Sequence, residues 1–160
     1  MKAALRIAAM LVACAATLGA AATELRPFGP TTLAQVKREH AGKPFVLALW
    51  SLHCAPCREE MAAWRELHAR YPSVPIVLVA ADQPDERDRV ESFLAKNSPG
   101  TVDAFVFEDE FEERIRFAID PRWRGELPRA YFYGADHKPE VKSGLPERAW
   151  LDRWFSAAAK

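Results

Sequence analysis

The chain has 160 residues, 49% of them hydrophobic, which is enough for one well-cored domain and too few for two ordinary ones. Its 22 basic and 22 acidic residues cancel, so neither a basic footprint for nucleic acid nor an acidic tail selects a partner by bulk charge.

Lys2 and Arg6 precede a small, apolar run from Ile7 to Ala22 that closes on Ala20-Ala21-Ala22. A charged start, a short apolar middle and an A-x-A end form the pattern of a secretory signal, and the run is short for a membrane span. Leu11-Val12-Ala13-Cys14 also resembles the lipobox of bacterial lipoproteins, which would put a lipid anchor on Cys14. The apolar run continues past Cys14 to the A-x-A end, which favours 1–22 as a cleaved signal and 23–160 as the folded domain. Either reading exports the protein and leaves Cys54 and Cys57 as the only cysteines of the domain. A secreted framework of structural disulfides would carry more cysteines at wider spacing.

Thr23 to Pro30 holds Pro27, Gly29 and Pro30 and reads as an extended arm. Leu33 to His40 reads as a short helix capped by Thr31 or Thr32 and stopped by Gly42 and Pro44. Phe45 to Trp50 is apolar at every position, as in a strand covered on both faces. From Cys54 to about Tyr71 the spacing of Met61, Trp64, Leu67 and His68 is helical. Val74 to Ala81 predicts a second buried strand, and Asp82 to Asp85 a turn into a helix bearing Val90, Phe93 and Leu94. Val102 to Phe107 is β-rich, and Phe111, Ile115 and Ile119 mark a short helix with an acidic start. Arg129 to Tyr133 and a segment near Glu140 to Lys142 predict an antiparallel hairpin. A last helix opens at about Pro146 and turns Trp150, Leu151, Trp154 and Phe155 inward. Alternating strands and helices with an antiparallel edge define an α/β domain, a mixed central sheet flanked by helices.

Cys54-Ala55-Pro56-Cys57 falls at the junction of strand and helix. Unpaired N–H groups and the helix dipole favour a thiolate there, so Cys54 reads as a nucleophile and Cys57 as the resolving thiol of a disulfide exchange. A purely structural disulfide would close too small a loop to stabilise much. A metal site would need more ligands than His53 supplies, although a Cu(I) or apoprotein chaperone holding its cargo on the two thiols without turnover stays an alternative.

Trp50-x-x-x-Cys54-x-Pro56-Cys57, with Leu127-Pro128 leading into a later strand, resembles the thioredoxin family, and Glu60 with the long segment before Pro128 makes it similar to the exported TlpA/ResA-like branch. The resemblance covers the chain from about Thr31 onward. It implies the thioredoxin fold, a redox-active Cys54-Cys57 disulfide with no further cofactor and no metal, and a substrate surface at Trp50, His53, Pro56, Leu127 and Pro128, the last as a cis proline. It further implies a periplasmic protein that reduces partner disulfides, for example in cytochrome c maturation or copper assembly, and is recharged by a membrane electron donor. Thioredoxins proper carry a buried Asp six residues before the first cysteine, where this chain has Ala48, so Glu60 becomes the expected proton acceptor for Cys57, with an exposed helix carboxylate as the plainer reading. His53 replaces the usual Trp before the first cysteine. Trp123, between Arg122 and Arg124, reads as a core tryptophan or as part of a partner-binding lip.

Overall fold

The computed structural model describes residues 24–100 and 102–160. The segment expected to be a signal, its expected cleavage site and Cys14 lie outside the described residues. No helix among the described residues is long and apolar enough to cross a membrane.

Six strands form one sheet: β1 (Leu25–Phe28), β2 (Phe45–Trp50), β3 (Ile76–Ala80), β4 (Asp103–Phe107), β5 (Arg129–Tyr133) and β6 (Pro139–Ser143), in the order β1-β4-β3-β2-β5-β6. β1, β4, β3 and β2 run parallel, while β5 pairs antiparallel with β2 and β6 antiparallel with β5. Five helices cover it: α1 (Thr32–Glu39), α2 (Ala55–Arg70), α3 (Arg87–Asn97), α4 (Glu112–Ile119) and α5 (Arg148–Ala158).

The unbroken apolarity of β2 follows from this layering, because alternate residues enter different cores. Val46, Ala48 and Trp50 pack with Met61, Trp64 and Leu67 of α2, Val90 and Leu94 of α3, and Leu151 and Phe155 of α5. Phe45, Leu47 and Leu49 pack with Leu33 and Val36 of α1 and Ile115 and Ile119 of α4. A polar residue anywhere along β2 would therefore enter one core or the other.

Three sequence expectations are corrected, and the core reading of Trp123 is borne out. The arm after Thr23 contains β1, an edge strand whose Leu25 and Phe28 are buried against β4; Pro27 is compatible with a strand at a sheet edge. The last helix begins at Arg148, two residues beyond Pro146. Trp150 and Trp154 are only partly buried, each edge-on to Phe132 at 4.8 and 5.1 Å, with Leu151 and Phe155 as the fully buried pair. Trp123 is buried, and its indole N–H donates to the Glu126 carbonyl at 2.9 Å, so it is core while Arg122 and Arg124 face solvent.

Candidate active site

β2 ends at Trp50 and α2 begins at Ala55, so residues 51–54 form a connector at the carboxyl end of the parallel strands, the end at which open α/β sheets present their sites. Cys54 is the N-cap of α2, in extended conformation, and its Sγ accepts the Cys57 backbone N–H at 3.2 Å. That donor, added to the helix dipole, stabilises charge on the Cys54 sulfur once the pair is reduced. Pro56 sits in the first turn, where its missing N–H costs nothing.

Cys54 and Cys57 are joined as a disulfide, with Cα atoms 5.2 Å apart. Cys57 is only 1% exposed and belongs to the core beneath the helix, whereas Cys54 is partly open. The asymmetry gives the two sulfurs different access: one can meet a large partner, and the other can reach only its neighbour.

The Leu127-Pro128 bond is cis. Leu49 pairs with Arg129 across β2 and β5, which brings Pro128 level with Trp50 at the sheet end where the connector starts. The Gly144 N–H donates to the Pro128 carbonyl at 2.9 Å, and Leu127 packs against both cores. Pro56 is exposed, and Leu127 and Pro128 are partly exposed. Trp50 is not a surface residue: it lies buried under the connector with its ring 5.2 Å from Phe93, so it supports the site from below.

Glu60 lies one helical turn beyond Cys57 and is half-buried. Burial pushes its carboxyl up to about 7, and a hydrogen bond from the Leu145 backbone pulls the other way. His53 is exposed, with Nε2 at 2.9 Å from both Glu86 carboxylate oxygens, and Glu86 also pairs with Arg89.

One residue that the sequence expectations passed over, Asp82, stands against the connector. Asp82, the first residue of the segment read as a plain turn, is 3% exposed and accepts from the Ser51 hydroxyl and the Leu52 N–H. The available signal was an Asp placed directly after a wholly apolar parallel strand. His53, Asp82 and Glu86 bring one ligand atom each within 4.8 Å of one another, the one such metal-compatible grouping among the described residues. The Asp82 oxygens are engaged by Ser51 and Leu52, and Glu86 by His53 and Arg89, so the grouping is already internally compensated.

A six-stranded mixed sheet, a disulfide capping its second helix and a cis proline at the same sheet end define a thioredoxin-fold protein. No family model matches the sequence, and no curated protein matches it. Among solved structures, the chain is similar to a secreted Mycobacterium tuberculosis disulfide oxidoreductase homologous to E. coli DsbE, at 21% identity and a TM-score of 0.58, over 75% of this chain and 85% of that one. A Chlorobium tepidum thiol:disulfide interchange protein of the thioredoxin family matches at 17% and 0.62, over 78% and 85%. A secreted thiol-disulfide isomerase from Corynebacterium glutamicum matches at 16% and 0.62, over 77% and 75%. At these identities the likeness establishes the fold.

Proposed function

We propose that the protein is an exported thiol-disulfide oxidoreductase that reduces disulfides of partner proteins. The observation that carries this reading is the unequal pair: Cys54 partly open at the helix N-cap with a backbone N–H on its sulfur, and Cys57 buried one turn below. In the reduced state the Cys54 thiolate attacks one sulfur of the partner disulfide. A Cys54–partner bond forms, and the other partner sulfur leaves and takes up a proton. Cys57 loses its proton, attacks the Cys54 sulfur and releases the second partner thiol, so two electrons have passed to the partner and the Cys54–Cys57 disulfide remains. Glu60 is the proposed acceptor of the Cys57 proton: its raised carboxyl titrates near neutral pH, where an acceptor is most effective.

The chemistry uses no group beyond the dithiol, and a membrane electron donor would restore it. Leu127, Pro128, Pro56 and His53 form the proposed surface for the partner chain. Export is supported by the Lys2 to Ala22 pattern and by the secreted character of two of the similar proteins. Dithiothreitol-driven insulin reduction tests the reading. The wild-type protein should accelerate turbidity and Cys54→Ser should abolish the acceleration; activity surviving in Cys54→Ser would overturn the assignment, and wild-type inactivity would favour a dithiol that only binds.

A further inference from the structure

The connector that delivers Cys54 has few apolar anchors of its own, and its path is set by hydrogen bonds. The Leu52 N–H lies 3.0 and 3.2 Å from the two Asp82 oxygens, and the Ser51 hydroxyl donates to Oδ1 at 2.9 Å. Because that hydroxyl spends its one proton on Asp82, the Ser51 oxygen is left as an acceptor, and the His53 N–H donates to it at 3.0 Å. The Cys54 N–H then donates to the Ser51 carbonyl at 3.2 Å. From the other side, the Arg58 guanidinium holds the Leu52 carbonyl at 2.5 Å. Two successive amides, at 52 and 53, thus depend directly or through the Ser51 hydroxyl on one carboxylate, and the Cys54 N–H closes the turn on the backbone of the same Ser51. Asp82 is itself rigidly mounted: Ala80 pairs with Trp50, and the Ala81 N–H donates to the Trp50 carbonyl at 2.8 Å.

We propose that Asp82 is the positioning residue of the redox connector, fixing through Ser51 and Leu52 the backbone path that sets the Cys54 sulfur against the Cys57 N–H. The inference rests on Cys54 being the reactive thiol, and it adds a residue outside the Cys-x-x-Cys segment to that reading. Removing the carboxylate orphans the Ser51 hydroxyl and the Leu52 N–H, two buried donors whose loss of partner is costly. A charged acceptor is the stronger choice for two donors at once. Burial also raises the Asp82 carboxyl above its ordinary range, with Glu86 adding to the rise and Ser51, the Leu52 N–H and His53 opposing it, so the connector carries a titratable tie. The ionisable groups around it are Glu86 and Arg89 on the α3 side, His53 on the connector itself and Arg58 on α2.

The test compares wild type, Asp82→Ala, Ser51→Ala and the double variant, each checked for folding by circular dichroism. Two quantities are read: the fraction of Cys54 thiolate against pH, followed by its ultraviolet absorbance, and the dithiol–disulfide equilibrium against a glutathione series. Loss of the tie withdraws the Cys54 sulfur from the Cys57 N–H, so Asp82→Ala should show about tenfold less thiolate at neutral pH and an equilibrium shifted toward the disulfide by a similar factor. Ser51→Ala should shift both less, and in the Asp82→Ala background it should add little, because both act through one chain of bonds. A folded Asp82→Ala protein within twofold of wild type overturns the proposal. A larger thiolate fraction also overturns it, since that is the sign of a bare negative charge acting on Cys54 rather than of a positioning group. Should Asp82→Ala fail to fold, a folded Ser51→Ala protein with unchanged thiolate fraction and equilibrium overturns it alone. Both readouts are taken without a partner protein, so they stay informative if insulin reduction fails.

Discussion

The two loops that meet at the candidate site are held by opposite means. The redox connector gathers around an anion: Asp82 collects donors, one of them a backbone N–H. The proline loop gathers around a cation: Arg129 donates from Nε to the Tyr131 hydroxyl at 2.8 Å, from Nη1 to Glu126 at 2.6 Å and from Nη2 to Asp120 at 3.1 Å. Asp120 in turn accepts the Arg122 N–H at 2.9 Å, and that bond, with Arg129 behind it, holds its carboxyl below the usual range. A connector tied by its backbone leaves the side chains of His53, Ala55 and Pro56 facing solvent, where a partner arrives. A loop tied by long side chains is braced at a distance from its proline. The same sheet end therefore carries one loop tuned through its amides and one clamped through its charges.

The clamp gives the largest expected effect on stability. Arg129→Leu leaves the largely buried Asp120 with only the exposed Arg122 at 3.5 Å as a cation, and breaking a pair of this kind costs about 3 kcal/mol. Urea unfolding should record that loss together with a rise in KM for a peptide disulfide, while the thiolate fraction of Cys54 stays near wild type. A changed thiolate fraction would mean that the two loops are not independent.

A smaller effect is expected at Glu60, which links α2 to the loop that leans on Pro128. Its folded carboxyl is raised to about 7, above the ordinary carboxylate range. Its contribution to stability is therefore fully present at pH below that ordinary range and is lost as pH rises through about 7. Glu60→Gln should flatten this part of the urea-midpoint profile and slow the resolution of a trapped mixed disulfide; an unchanged profile and rate would reduce Glu60 to a surface carboxylate.

The smallest effect belongs to Glu66, which pairs with Arg70 and Arg148 on the exposed face joining α2 to α5. Solvent-exposed pairs of this kind contribute little. Glu66→Gln should leave both the unfolding midpoint and insulin turnover unchanged within error, and so serves as the control for the other two.

Much of this was legible in the sequence where one residue's chemistry sufficed. Phe45 to Trp50 announced a strand covered on both faces, and Cys54 and Cys57 announced their disulfide through spacing and position before a helix. β1 was hidden because Pro27, Gly29 and Pro30 mask a strand whose only partner lies nearly eighty residues away, Leu25 on Ala104. Asp82 was hidden for a related reason: its partners, Ser51 and Leu52, lie about thirty residues earlier, just past the carboxyl end of the neighbouring parallel strand, and nothing local distinguishes it from the turn residues after it. Trp50 carried the family motif yet proved to be a buried support, since a motif reports which residue is present and not which side of it meets solvent.

The most direct test of the account is to trap the exchange on one sulfur. A reduced Cys57→Ser protein, mixed with a peptide disulfide and analysed by mass spectrometry after alkylation, should carry one peptide per chain, linked to Cys54. A reduced Cys54→Ser protein should carry none, because Cys57 is buried beneath it. Capture by Cys57 in place of Cys54, or by neither, would contradict the assignment of Cys54 as the nucleophile.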